Sequence, residues 1–327
     1  MNESDFIARL RAIASDPGAR GLADDAAVLA APGDLVLTHD MLVEGVHYLA
    51  ADPPEDVAWK LVAVNLSDLA AKGARPRGVL LGHSLLGDGD WDARFADGLG
   101  RALEAMAAPL LGGDTVAYRG GPRVLSLTAL GDAPPGGAPS RSGARAGDDI
   151  WVSGAIGDGG AGLTIAKRLA GDPAGLAIAR GTDGPAALLD RYRRPTPRIA
   201  LGRALAPHVG AMMDVSDGLL IDCKRMCAAS GAAADLDLDR VPISAALLAH
   251  AGEDRSARLA AATAGDDYEL LFAAPAASAH AIEAAAGGAG VPVTPIGRMR
   301  EGEGVHLSDA AGAVPLPARL GYEHGVA

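Results

Sequence analysis

Cysteine is nearly absent: the 327-residue chain has only Cys223 and Cys227. Their i, i+4 spacing suits one helix face, and no further thiol exists to complete a thiolate zinc site. Two buried, reduced thiols are expected. Aromatic residues make up 3% of the chain, so the core must come from Leu, Val, Ile and Ala. Positive charge is also short, with 29 Lys and Arg against 41 Asp and Glu and a net charge of −12. That balance excludes a general nucleic-acid or anionic-membrane surface. No apolar run approaches the roughly 20 residues of a membrane span. The opening "MNESDFIARLRAIA" lacks the basic-then-apolar pattern of a secretory signal. A cytoplasmic protein with no nucleic-acid or membrane partner is expected. No G-x-x-x-x-G-K-[ST] occurs, so any bound ATP needs a non-Walker architecture.

What is present reads as two domains, since 327 residues exceed what one core usually serves. "EDVAWKLVAVNLSDLAAKG" has apolar residues at helical spacing and a stopping glycine. "RGVLLGHSLL" and "RVLSLTALGD" read as strands, and "DARFADGLGRALEAMAAP" as a helix between them. The Gly/Pro/Ser-rich "GDAPPGGAPSRSGARAGD" marks a junction, dividing the chain into 1–137 and 138–327. Beyond it "DIWVSG" and "DDYELLFAAP" read as strands, "AGLTIAKRLAG" and "AHAIEAAAGGAG" as helices. The tail "VPVTPIGRMREGEGVHLSD" reads as two strands joined by a turn. The pattern predicts an α+β fold whose second domain is α/β.

Six stretches place acids among glycines and apolar residues at the ends of elements. They are "GLADDAAV" (Asp24, Asp25), "LTHDMLVEGVHY" (Asp40), "AVNLSDLAAKG" (Asp68), "LLGGDTV" (Asp114), "MMDVSDGLL" (Asp214, Asp217) and "AGDDYELLF" (Asp266, Asp267). Each alone reads as a cap or turn. Together they suggest more, because a buried carboxylate needs a cation or must neutralise. Lys60 and Lys72 are the only lysines nearby. Hard oxygen ligands point to Mg²⁺ or Mn²⁺, which commonly bind substrate phosphates as well. Gly112 and Gly113 would let backbone approach a phosphate, or would simply form a tight turn. "GDGGAG" (157–162) fits the dinucleotide pattern, but no strand ending in an acid follows at the required distance, so chance is preferred.

Taken in order, "DDAAV", "VNLSDLAAKGARP", "LLGGDT", "SRSGARAGD" and "DVSDGL" resemble the thiamine-monophosphate kinase family. That family belongs to the superfamily of aminoimidazole ribonucleotide synthetase. The resemblance implies the two-domain fold of that superfamily. Its N-terminal mixed sheet with helices pairs in a homodimer, and its C-terminal α/β domain completes the site. It implies phosphoryl transfer from ATP to thiamine monophosphate, without a phosphoenzyme and with several Mg²⁺ ions. It assigns metal binding to Asp25, Thr38, Asp40, Asp68, Asp114, Asp214 and Asp217. ATP contacts fall to Gly112, Gly113, Arg141 and Ser216, and substrate contacts to His47, Asp266 and Tyr322. This sequence departs from the family pattern at Ala23, His39, Lys72 and the "GYEHG" tail.

No catalytic general base is expected. The second pKa of a phosphate monoester is about 6, so the acceptor oxygen is already an anion at neutral pH. The obstacle is repulsion between two phosphates, which bridging metal ions and an arginine address. Tyr322 is expected to stack on a ring of the acceptor, and Asp266 to accept from an amino group or balance its cation.

Overall fold

The computed structural model describes residues 3–22, 26, 27, 29–31, 33–118, 120–170 and 183–323. Helix α1 (Glu3–Ile13) precedes a four-stranded sheet. Its strands are β1 (Leu35–Val43), β2 (Arg75–Leu85), β3 (Leu110–Ala117) and β4 (Val124–Asp132), in the order β1-β4-β2-β3. Only β2 and β3 are parallel; the other pairs are antiparallel. Helices α2 (Pro54–Ala71) and α3 (Gly89–Ala105) share one core with this sheet, centred on Leu61, Leu66, Leu81, Phe95, Leu99 and Leu127.

Helix α2 is built to be buried. Pro54 opens its first turn, and Glu55 and Asp56 lie at its positive end. No Gly or Pro interrupts its interior, and 15 of its 18 residues are buried. One flank meets the first sheet and α3. The other meets the second half of the chain through α6 (Ile199–Leu205). The approach is close: a Cβ on Gly202 would stand 1.9 Å from the Ala70 carbonyl oxygen, so only glycine allows this crossing.

The second sheet has seven strands. They are β5 (Asp149–Ser153), β6 (Ala211–Val215), β7 (Ala233–Asp237), β8 (Glu269–Ala274), β9 (Val293–Arg300), β10 (Gly304–Asp309) and β11 (Gly312–Val314). Their order is β11-β10-β7-β9-β5-β8-β6. Helix α7 (Leu219–Ser230) packs with one core of this half, around Met213, Leu220, Met226 and Ile296. Helices α6 and α10 (Ala279–Ala289) pack with another, around Trp151, Phe272 and Ile282, which Ala70 and Ala71 of α2 join. Helices α4 (Asp158–Leu169), α5 (Gly184–Arg193), α8 (Ala245–Ala251) and α9 (Arg255–Ala262) complete the fold. Cys223 and Cys227 are buried and unbridged, as expected.

Two expectations change in detail. "LLGGDT" is not a free turn but part of edge strand β3. The two tail strands do follow one another through a turn but are not partners, because β7 lies between them. Among the described residues no helix is long and apolar enough to cross a membrane.

Candidate active site

The site forms where α2 meets β1 and the β6–α7 loop. Alternation along β1 turns Thr38, Asp40 and Leu42 towards α2 and leaves Leu37, His39 and Met41 on the outer face. In "VNLSDL" three polar residues then do separate jobs. Asn65 accepts the Asp40 backbone N–H through Oδ1 at 3.0 Å. Ser67 donates to Asp214 Oδ2 at 2.7 Å. Asp68 accepts a hydrogen bond from the Thr38 hydroxyl. His39 bonds Thr128 on the far side of the sheet, 2.8 Å away, so its departure from the family pattern falls outside this cluster.

Strand β6 ends at Val215, and the turn Ser216–Asp217–Gly218 leads into α7. Asp222, fully buried in the first turn of α7, accepts the N–H groups of all three turn residues at 3.1–3.2 Å. Arg225 holds both Asp217, at 2.6 Å, and Asp222, at 2.7 Å. These two supporting residues were not foreseen. The signal was present: an acid in a helix's first turn, just after "SDG", is a cap for that loop.

A cavity of about 320 Å³ joins these groups. Asp40, Asp68, Asp214, Ser216 and Asp217 line it, as do His47, Asp266 and Tyr322. Four of the residues assigned to metal, Asp40, Asp68, Asp214 and Asp217, thus share one space with the three assigned to the acceptor. Arg225 offsets Asp217, but no basic side chain pairs with Asp40, Asp68 or Asp214 among the described residues. The consequence appears in their protonation. Burial first, then the charges of Asp68 and Asp217, pushes Asp40 up to about 6. Burial first, then Asp68, pushes Asp214 well above the ordinary carboxylate range despite its bond from Ser67. Such a cluster favours divalent cations. Among the described residues no three His, Cys, Asp or Glu side chains are arranged to hold an ion alone.

Elsewhere around the cavity, His47 Nδ1 accepts the Val43 N–H at 3.1 Å. Asp266 has φ +70 and Tyr268 φ +53, two left-handed non-glycine residues in one loop. Each conformation costs about 1–3 kcal/mol and persists only where its surroundings impose it. Here the Asp266 N–H donates to Ser216 O at 2.9 Å, and the Tyr268 hydroxyl donates to Asp266 Oδ1 at 3.1 Å. Tyr322 is about half exposed, and its N–H donates to Asp217 O at 2.9 Å.

Other predicted residues lie elsewhere. Asp114, Gly112 and Gly113 line a different cavity, of about 790 Å³, against the outer face of the first sheet. Asp114 is in register with Gly82, Ser126 and Met41, three strand spacings from β1, or about 14 Å. One chain therefore does not bring Asp114 to Asp40 and Asp68. Gly113 has a structural reason to be glycine, since a Cβ there would stand 2.0 Å from Leu81 O. Arg141 is exposed in the linker and near Lys72, whose pKa is lowered by burial first and then by Arg141. The Lys72 ammonium donates to Pro139 O at 3.2 Å and Met212 O at 3.0 Å. Ala23 and Asp25 lie outside the described residues. The "GDGGAG" turn opens α4, but Asp267, fully buried, accepts the N–H groups of Gly157 (2.7 Å) and Gly159 (3.1 Å). Those donors are committed to a carboxylate of the chain itself.

Helix α2 also sets the spacing along the site. Lys60, Val64, Asp68 and Lys72 follow at four-residue steps. Val64 and Asp68 line the 320 Å³ cavity, Lys60 touches Asp266 in its wall, and Lys72 lies beyond it towards Arg141.

Residues 23–133 match the AIR synthase related protein N-terminal domain and residues 145–309 the corresponding C-terminal domain. A thiamine-monophosphate kinase of Caulobacter vibrioides is 44% identical over 332 residues, covering 99% of this chain and 91% of that protein. The crystal structure of thiamine-monophosphate kinase from Stenotrophomonas maltophilia has a TM-score of 0.81 and 40% identity, covering 93% of this chain and 94% of that one. A solved structure of AaThiL complexed with AMPPCP and TMP has a TM-score of 0.72 and 32% identity, covering 87% of each chain.

Proposed function

The chain belongs to the AIR synthase related family, within it to the thiamine-monophosphate kinases, and we propose that it transfers the γ-phosphoryl group of ATP to thiamine monophosphate, giving thiamine diphosphate. One observation carries the reading. A single cavity is lined both by Asp40, Asp68 and Asp214, which pair with no basic side chain among the described residues, and by His47, Asp266 and Tyr322. At about 320 Å³ it is at the lower end of ligand-sized pockets. It suits the acceptor and the transferred group, with the rest of the nucleotide outside, on the side of Ser216 and Arg141.

Asp40, Asp68, Asp214 and Asp217, joined by Thr38, would hold several Mg²⁺ ions. The raised pKa values of Asp40 and Asp214 support this assignment, because a cation restores their ionised forms. Bound there, Mg²⁺ would neutralise the charge that builds up between the two phosphates. The chain itself fixes the geometry: Ser67 orients Asp214, Asn65 anchors β1, and Asp222 with Arg225 shapes the Ser216–Asp217 turn. The acceptor oxygen is already anionic, so no side chain needs to remove a proton.

A homodimer completes the reading. Leu35, Leu37, Met41, Leu80 and Val116 are exposed hydrophobics on the strands of the first sheet, an apolar face of the kind that marks an interface. Gly112–Asp114 line the cavity on that same face, so pairing there would give Asp114 a route into a site it cannot reach within one chain. A division of the chain at 137/138 is supported by the first sheet ending at Asp132 and the second beginning at Asp149. The unbridged cysteines are in keeping with a cytoplasmic location. The test is direct: incubate the protein with Mg²⁺, ATP and thiamine monophosphate and look for thiamine diphosphate by chromatography. Product at the level of a no-protein control overturns the reading.

A further inference from the structure

Lys60 is an unusual residue for its position. It sits within α2, and only 3% of its side chain is exposed. A buried ammonium requires partners, and this one has three. Nζ is 3.0 Å from Asp266 Oδ1, 3.1 Å from the His47 carbonyl oxygen and 4.1 Å from the centre of the Tyr192 ring. These partners match its three N–H donors. Two of the three, Asp266 and His47, line the cavity, whereas Lys60 does not.

The support behind it is rigid. Tyr192 is buried and donates its hydroxyl proton to Asp52 Oδ2 at 2.9 Å. Asp52 also accepts from Arg193 Nε and from the Leu49 N–H, both at 2.9 Å. The ammonium is therefore clamped between α2, α5 and the segment 47–52. Asp266, by contrast, sits on a strained loop with φ +70. Without its partners the loop has cheaper conformations available.

Resting on the function proposed above, we propose that Lys60 is a positioning residue of the acceptor pocket, holding Asp266 and the His47 segment so that Asp266 presents a charge-balanced carboxylate to a hydrogen-bond donor of the acceptor. Lys60 acts through Asp266 and touches no reacting atom. Recognition at this wall then depends on directed hydrogen bonding, and Asp266 does not stand as a bare anion against the cationic ring.

The test is a double-mutant cycle on Lys60→Met and Asp266→Asn, read as KM for thiamine monophosphate, KM for ATP and kcat, with Kd for thiamine monophosphate by calorimetry alongside. Lys60→Met alone is expected to raise KM for thiamine monophosphate at least tenfold and to leave KM for ATP within twofold. Asp266→Asn is expected to do the same. Adding Lys60→Met to Asp266→Asn is expected to change that KM by less than twofold, because the two act as a unit. Multiplicative effects, or equal rises in both KM values, overturn the proposal. If Lys60→Met does not fold, Lys60→Arg takes its place. It keeps a cation and is expected to stay within about threefold of the wild type, and a tenfold loss there also overturns the proposal. A wild-type chain that neither binds thiamine monophosphate nor makes thiamine diphosphate overturns the function and this inference together; an active wild type with an additive cycle overturns this inference alone.

Discussion

Replacing Asp68 by Asn should separate catalysis from folding, with opposite signs. Asn keeps the shape of the side chain, and its amide oxygen can still accept from the Thr38 hydroxyl. What disappears is one negative charge between Asp40 and Asp214. Losing one preorganised electrostatic contact to transferring phosphate typically raises the barrier by about 3–4 kcal/mol, or about 10²–10³-fold in rate. The metal-free protein should respond the other way. Asp40 is shifted from 3.8 to about 6, roughly 3 kcal/mol at about 1.4 kcal/mol per unit. Asp68 is the second cause after burial, so its repulsion accounts for a part of that cost. Removing that repulsion should raise Tm by a few degrees at most in chelator, and the rise in Tm on adding Mg²⁺ should shrink. The assays are thiamine diphosphate formation at saturating Mg²⁺ and thermal melts with and without the metal. Near-wild-type turnover would refute the ligand role of Asp68, and a lower Tm in chelator would refute the repulsion argument.

Tyr322→Ala should raise KM for thiamine monophosphate by about fivefold to tenfold, the worth of one aromatic contact, with KM for ATP within twofold; equal changes would remove Tyr322 from the acceptor wall. Asp267→Ala leaves the Gly157 and Gly159 N–H groups without their acceptor, which should lower stability by about 2–3 kcal/mol in denaturant titration. A buried His83, 3.1 Å from Asp92 through Nε2, is held below its usual pKa of 6.5, burial being the largest cause. The unfolded chain then binds the extra proton, so stability present above pH 6.5 is lost as pH falls below it, by at most about 1.4 kcal/mol per unit. Melts between pH 7.5 and 5.5 should show a larger loss for wild type than for His83→Gln. Leu37→Glu, on the outer face of β1, should sediment as a monomer where the proposed homodimer requires the wild type to sediment as a dimer, and a monomeric wild type would refute that pairing.

Much of the architecture was legible because its signals are local. The helix of "VNLSDL", the strand-to-helix turn of "DVSDGL" and the Gly/Pro-rich junction each announce themselves within a dozen residues. Strand β3 did not. Two glycines followed by Asp-Thr look like a turn, and the stretch becomes a strand because β2 offers it a partner and Gly113 tolerates contact with Leu81 O. Strand β7, "AADLD", carries too little β-branched character to be noticed, and its place between β9 and β10 depends on pairing over long sequence distances. The site divides in the same way. Acids in apolar settings could be picked out one by one, and most of them do converge. Asp222 carried a local signal that was passed over, whereas the supporting roles of Arg225 and Lys60 show only when the neighbour being supported is visible. Asp114 shows the converse: its stretch belongs to a set of motifs that is specific only taken together, and one chain leaves it on the opposite face of the sheet.

The four-residue steps on α2 make that helix a ruler for the reaction. From Lys60 to Asp68 is eight residues, about 12 Å at 1.5 Å per residue. Point substitutions along it change one mark at a time. A single inserted or deleted residue between them would turn one end by about 100° relative to the other and slide it by 1.5 Å. Asp68 would then swing away from Thr38 while Lys60 stayed in place. In this helix, length is as firmly constrained as chemistry.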